Sequence, residues 1–567
     1  MVAKLLIKNG FVYDPLNGVD GEVMDIAIEN GKIVEDVSGS DVKVIDASGM
    51  VVMPGGVDIH SHIAGSKVNS GRALRPEDHY GDYEPRRPGF RSGVGYTVPS
   101  TFTIGYRYVK MGYTTVFEPA TPMLKQKHTI EELNDIPILD KASFPLVGDC
   151  WFVLEYLEEC KLKECAAYIA WLLKAIKGYA LKIVNPGGLE AWGWGRNVEG
   201  LDDQIPGFSL TPRELVRGLC RVNKMLNLPH PIHVHANRLG RPGNYTTLIE
   251  TMDCVRDLYE GDKPVIYLTH CQFNSYTGES WIDLGSGAAE VADYVNKHPH
   301  VLIDIGQVIF SEATTMTADG PFQFQLHLLT DNKWINADVE AESTAGIVPF
   351  RFRRKNYVHA VQWITGLELA LSIKDPWRMF LTTDHPNAGP FTEYPRVIAW
   401  LISRRAREAT IKRVNGRAIR RSILESLDRE YSLYEIAIIT RAGTAKALGL
   451  ESKGHLGVGA DADVAVYDIN PRELDISRDY RRVRRAFRRA AYTIKAGEIV
   501  CVNGELVKNM EGSIYWVKPS ISSDLEESVV SDIRRKFREY YTVEFENYLV
   551  GEEYLPRSVA IEVKGGV

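Results

Sequence analysis

The chain is poor in what marks an electron carrier or a membrane protein. Its 567 residues include seven cysteines, at 150, 160, 165, 220, 254, 271 and 501, with no CxxC pair. So sparse and odd a set argues against a disulfide framework and for a reducing cytoplasm, and it leaves no thiolate cluster for an iron–sulfur centre. No apolar run approaches the ~18 residues of a membrane helix, and the opening MVAKLLIKNGFVYDP has too short an apolar core for a secretory signal. Charge of one sign is scarce as well. Basic residues number 67 and acidic ones 74, and the resulting −7 does not suit a protein built mainly to hold nucleic acid. Low-complexity segments, internal repeats and a Gly-rich dinucleotide fingerprint after a strand are all missing.

What is present is the ordinary composition of a soluble globular chain, 44% hydrophobic and 25% charged, which excludes a disordered or collagen-like protein. Residues 1–53 read as short strands separated by Asn-Gly and Ser-Gly turns (KLLIKNGFVYD, MDIAIENGKIVE, KVIDASGMVVM). The same pattern returns over 451–510, in GHLGVGADADVAVYDIN and AAYTIKAGEIVCVNGELVKN. Between them, residues 54–450 alternate short apolar strands (YTTVFEP, YALKIVN, PIHVHAN, PVIYLTH, HVLIDIG, RMFLTTDH) with helical stretches such as ECAAYIAWLLKAIKG and TPRELVRGLCRVNKML. This alternation predicts an α/β fold, a (β/α)8 barrel of the TIM type. The two terminal β regions are expected to meet as one small β-sandwich domain. Residues 511–567 read as a separate C-terminal extension. The Arg-rich stretches 403–421 and 481–490 read as solvated faces offset by acidic neighbours, with docking of an acidic partner or substrate tail as the functional alternative.

The chemistry-bearing residues gather at strand ends. In PGGVDIHSH, His60 and His62 stand two apart after an apolar run. On a strand such residues share a face, so two imidazoles would converge as a metal site requires. An HxH pair alone arises by accident about as often. Its company strengthens it: His233 and His235 lie in PIHVHANR, His270 ends PVIYLTH, and Asp384 and His385 end RMFLTTDH. These are strand C-termini, where barrel enzymes keep their catalytic groups. Lys182 sits in the apolar YALKIVNPGG. A buried ammonium is costly, so Lys182 either snorkels, pairs with an acid, or becomes an anionic ligand through carboxylation by CO2.

At these residues the chain resembles the amidohydrolase superfamily, in the subtype whose two metals share a carboxylated lysine, as in hydantoinases and dihydroorotases. The flanks resemble its β-sandwich halves. Within the superfamily the chain is most similar to the family of formylmethanofuran dehydrogenase A subunits, through IHSHIAGSKVNSGRALRPEDHY (59–80), LKIVNPGGLEAWGWGRN (181–197) and TTDHPNAGPFTEYP (382–395). The resemblance implies metal ligands at His60, His62, Lys182, His235, His270 and Asp384. It implies two divalent ions, zinc by type, and a CO2-derived carboxylate on Lys182. Asp384 would also move the proton in catalysis. His233 faces the same side as His235 and is a supporting or substrate-facing residue, with a place as the fifth-strand ligand instead of His235 as the open alternative. Arg238 and Asn185 are expected substrate contacts. Asn237 departs from the family's usual His-Ala-Glu, which puts a hydantoinase-type role for that side chain in doubt.

The implied activity is condensation of formate with the amine of methanofuran, or in reverse hydrolysis of N-formylmethanofuran. Metal coordination lowers the pKa of water from ~16 towards ~7. The implied partners are a tungsten- or molybdenum-pterin subunit that reduces CO2 and iron–sulfur subunits of the same complex, with formate arriving through an internal channel. The chain itself is expected in the cytoplasm, with no membrane span and no nucleic acid. Alternative readings are a free-standing cyclic amide hydrolase of the hydantoinase or dihydropyrimidinase type, the corresponding component of a bacterial formyltransferase/hydrolase complex, and a scaffold that has lost its chemistry. His79, His128, His230, His298, His300, His327, His359 and His455 read as surface or capping residues, with His79 the one placed to overhang the site. His385 is expected near the ligands, and Cys271 is expected to point away from them.

Overall fold

The computed structural model describes residues 4–339, 342–541 and 543–566. Eight parallel strands form the central barrel. In order around it they are Gly56–Asp58, Tyr113–Thr121, Asp140–Pro145, Lys182–Val184, Ile232–His235, Ile266–Leu268, Val301–Asp304 and Met379–Phe380. Two pairings close the ring: Leu146 bridges to Lys182, and Ser61 bridges to His385, both in parallel. Every strand named from the sequence within 113–385 lies in this barrel. The third strand, KASFP with its flanking Asp140, does not stand out in the sequence, because it lacks a long β-branched run.

Helices cover the outside, as their apolar faces require. Leu162–Ile176 is buried along its whole Cys165–Leu173 run. Pro212–Met225 begins at a capping box. Thr211 accepts from the Glu214 amide while the Glu214 carboxylate takes the Thr211 N–H, and Pro212 follows in the first turn. Such a cap contributes ~1 kcal/mol and fixes where the helix between the fourth and fifth barrel strands begins. After the seventh strand the chain departs from simple alternation. Glu312–Thr317, Ile335–Val339 and Glu342–Arg351 form a three-stranded antiparallel sheet beside helix Gly320–Thr330.

The two terminal regions share one nine-stranded sheet. Val464–Tyr467 runs antiparallel to Val51–Pro54 and joins the halves. Alternate residues Ile7, Ile28, Val52, Val464, Val466 and Ile494 fill its own apolar core. A buried ionic cluster ties this sheet to the barrel. Lys453 Nζ lies 2.6 Å from Asp140 and 2.8 Å from Asp463, and Lys495 Nζ lies 2.5 Å and 2.8 Å from the same carboxylates.

Residues 511–567 are not set apart from the rest. Ile514–Ser520 and Ser558–Lys564 pair in parallel, and Ile514 pairs with Lys141, so the segment extends the barrel sheet at its third strand. Helix Ser523–Tyr541 packs Val529, Ile533 and Phe537 inward. The high charge of this segment belongs to its outer face, and long-range parallel pairing leaves no local pattern to read. Among the described residues no helix is long and apolar enough to cross a membrane, and all seven cysteines are free. In the first Arg-rich stretch, Arg404 pairs with Glu408 at 3.1 Å and with Asp428, and the buried Arg407 donates to the carbonyls of Trp400, Leu427 and Arg429. In the second, Arg488 reaches Glu393 at 3.3 Å.

Candidate metal centre

The barrel brings the strand-end residues to one mouth. His60 and His62 follow the first strand and Asp384 follows the eighth, on the two sides of the Ser61–His385 closure. Asp384 Oδ1 stands 3.0 Å from His60 Nε2 and 3.5 Å from His62 Nε2. Asn387 Nδ2 holds the same carboxylate oxygen at 2.9 Å. His60, His270 and Asp384 have donor atoms that all lie within 4.8 Å of one another, and all three residues are buried. His270 in turn meets His235 edge-on, ring centres 4.7 Å apart. Asp384 and His270 both have positive φ, 45° and 37°. Non-glycine residues adopt this region sparingly, and functional sites are where it recurs.

Lys182 reaches the edge of this group. Its Nζ lies 3.5 Å from Thr269 Oγ1, which is itself 2.8 Å from His270 Nε2. Burial pulls the Lys182 pKa from the lysine range down to about 7, against the opposing pull of Asp384 and Asp304. Burial likewise pulls the His60 imidazole down to about 3 and holds His235 and His270 below their ordinary value. At neutral pH these are neutral rings with lone pairs to offer.

Those lone pairs show whether the residues suit a cation. His60 Nε2, His270 Nδ1 and Asp304 Oδ2 are buried without a hydrogen-bond partner. A bare imidazole nitrogen facing a carboxylate oxygen at 3.0 Å is repulsive unless positive charge lies against both. Tetrahedral zinc with ~2.0–2.1 Å bonds holds its ligand atoms about 3.3 Å apart, close to the two Asp384–histidine separations. Nitrogen and carboxylate donors of this kind fit zinc.

Three acids that no motif in the sequence singles out belong here. Glu118, on the second strand, accepts from His62 Nδ1 at 2.8 Å and from the Ile63 and Ala64 amides at 2.7 and 3.2 Å. Burial alone would raise its pKa, but His62, Lys67 and the Ala64 amide outweigh it and hold the carboxylate ionised. Asp304 ends the seventh strand and accepts from the His270 amide at 2.9 Å; burial raises it to about 7. Asp319, from the inserted segment, lies 3.3 Å from His235 Nε2. A lone acid inside YTTVFEP or HVLIDIG carries the same signal as the lysine inside YALKIVN. Asp319 has no such signal, since it caps a helix outside the barrel pattern.

Of the other residues expected at the site, His385 and Asn185 stand beside it, Asn185 donating to Asp319 Oδ1 at 3.2 Å, and Arg238 is turned away. The Arg238 guanidinium faces Glu199 at 3.8 Å and is about a third exposed. Its place on the loop beyond the fifth strand turns it outward. Asn185 and Asn237 bond each other at 2.9 Å, and Asn237 also donates to the Pro186 carbonyl. His385 is buried against Phe391 and passes its carbonyl to the His62 amide at 2.8 Å. His79 is exposed. The surface reading fails for His230 and His300, at 0% and 1% exposure, because each satisfies a ring nitrogen on a backbone carbonyl inside the core. Cys271 donates to the Leu268 carbonyl.

The amidohydrolase family pattern matches residues 43–501. Protein FwdA of Methanocaldococcus jannaschii is 55% identical over 556 residues, 97% of this chain and 97% of that protein. The A subunit of the formyltransferase/hydrolase complex Fhc of Methylorubrum extorquens is 35% identical over 538 residues, 94% of each chain. The crystal structure of the FhcABCD complex from that organism, with methylofuran, contains a chain that superimposes with a TM-score of 0.88 at 33% identity, over 98% of this chain and 99% of that one.

Proposed function

The chain belongs to the amidohydrolase family, and from that membership we propose that it is the A subunit of a formylmethanofuran dehydrogenase, joining formate to the amine of methanofuran or hydrolysing the N-formyl product. The observation that carries this reading is the convergence of His60, His62, His270 and Asp384, with the buried His60 Nε2 and His270 Nδ1 left without hydrogen-bond partners. Whole-length similarity to the Fhc A subunit, whose complex binds methylofuran, supports the carrier. His60, His62, Lys182, His235, His270 and Asp384 would hold two divalent ions, and their chemistry is to polarise the formyl or formate oxygen and to acidify water.

The chain's own residues do the rest. Lys182, whose pKa burial brings down to about 7, offers a free amine to CO2; the N–C bond forms, a proton leaves, and the carbamate would serve as an anionic ligand. In hydrolysis R–NH–CHO and water become R–NH2 and formic acid. Asp384 takes the proton of the attacking water at a carboxylate oxygen and passes it to the leaving amine nitrogen. Asn387 keeps that carboxylate aimed, and His233 lies beneath the ligands. No residue in this scheme changes oxidation state, so the two electrons of CO2 reduction belong to a partner subunit that handles pterin and iron–sulfur chemistry.

The test uses the purified full chain. It should hydrolyse an N-formyl carrier amine with no electron acceptor present, and fail to reduce CO2 with any donor. Reduction of CO2 by this chain alone, or no release of formate at full metal loading, overturns the reading.

A further inference from the structure

Beneath His60 three imidazoles stand in line. His60 Nδ1 is 2.9 Å from His233 Nε2, and His233 Nδ1 is 2.9 Å from His230 Nε2. His230 Nδ1 is 2.7 Å from the Ala447 carbonyl oxygen, where the line ends. All three histidines are buried. Each contact needs one N–H and one lone pair, because two of either kind at that distance repel. The carbonyl can only accept, and this sets the direction of the whole line. His230 must carry its hydrogen on Nδ1 and so accepts at Nε2. His233 must then donate from Nδ1 and accept at Nε2. His60 must therefore carry its hydrogen on Nδ1, which leaves the lone pair on Nε2, the atom that faces Asp384. Asp304 Oδ2, 3.6 Å from His60 Nδ1, is a second acceptor that favours the same tautomer.

The rings cannot easily turn out of this arrangement. His233 stacks on Tyr267 with centres 4.4 Å apart and planes 10° from parallel, and Phe144 meets its edge at 5.1 Å. Phe144 also stacks on His230 at 5.4 Å. We infer that His230 and His233 are positioning residues: anchored on the Ala447 carbonyl, they fix the tautomer and aim of His60 so that Nε2 is its ligand atom. The inference rests on the metal reading above. It removes His233 from the possible ligands and leaves His235 as the fifth-strand donor. His60, His233 and Asp304 do have donor atoms close enough to ring an ion, but the line already spends His60 Nδ1 and His233 Nε2 on each other.

The test compares His233→Leu with His233→Gln in the full chain, by zinc content and by competition with a chromogenic chelator. A glutamine amide can accept from His60 and donate to His230, so it preserves the direction of the line. Residues that orient a metal-bound histidine are worth roughly 10–100-fold in affinity. His233→Leu should therefore bind one zinc about 10–100-fold more weakly, while His233→Gln stays within a few-fold of wild type. If His233→Leu does not fold, His230→Leu against His230→Gln makes the same contrast one ring further out. Equal affinity in the leucine variant overturns the inference. So does loss of one whole ion in both variants, which would make His233 a ligand. A wild-type chain that holds no ion overturns the metal reading, and the inference with it.

Discussion

His62 Nδ1 donates to Glu118 Oε1 at 2.8 Å, deep in the barrel, while His62 Nε2 is turned to Asp384. Glu118 thus does for His62 what the imidazole line does for His60. Glu118→Gln keeps an acceptor for the Ile63 and Ala64 amides but loses the charge. It should melt near wild type and bind zinc roughly 10–100-fold more weakly. Glu118→Ala leaves buried groups unpaired and should cost about 3–5 kcal/mol in stability, read by thermal or denaturant melts.

Lys182 carries a different expectation. Lys182→Ala should fold yet hold much less metal, since the carbamate proposed at this position could no longer form, and short carboxylic acids should restore part of it. Metal analysis with and without added acetate checks this. Full occupancy in the alanine variant would rule out a carbamate at that position.

Asp384→Asn keeps shape and removes the proposed base. It should retain much of the histidine-bound metal and lose roughly 10²-fold or more in rate. Formate release from an N-formyl amine is the measurement, and near-normal turnover would remove Asp384 from proton transfer.

The buried cluster of Asp140, Asp463, Lys453 and Lys495 predicts a pH dependence of stability. Burial alone would raise both carboxyls, but the two ammonium groups outweigh it and hold Asp140 and Asp463 below the usual range. A depressed folded pKa stabilises fully above the unfolded value of ~3.9 and less as the solution is acidified through the folded value. Melts should therefore fall steeply below about pH 4. Asp463→Asn should be about 3–5 kcal/mol less stable at pH 7, with a flatter acid limb.

How much of this is legible in the sequence depends on where each signal lies. HxH after an apolar run, a lysine inside a strand and strand-final His270 and Asp384 are local patterns, and the structure gathers them at one mouth. Glu118 and Asp304 are legible by the same logic but sit in strands whose apolar residues dominate the pattern. His230 gives no cue, because its burial depends on a carbonyl more than two hundred positions away. The strands beyond 511 are hidden for a related reason: parallel partners are set by tertiary contact, and a charged outer face masks an apolar inner one.

The Ser61–His385 closure has one more consequence. The His62 amide bonds the His385 carbonyl there, and His60 and Asp384 flank the join. An ion bound to both sides would be a clasp between the first and last turns of a long loop, and clasps of that kind gain stability from the chain entropy they remove. Emptying the centre should unfasten the barrel at that one line first. Amide hydrogens at 60–62 and 384–387 should exchange faster in chelated protein, while the opposite wall of the barrel keeps its pace.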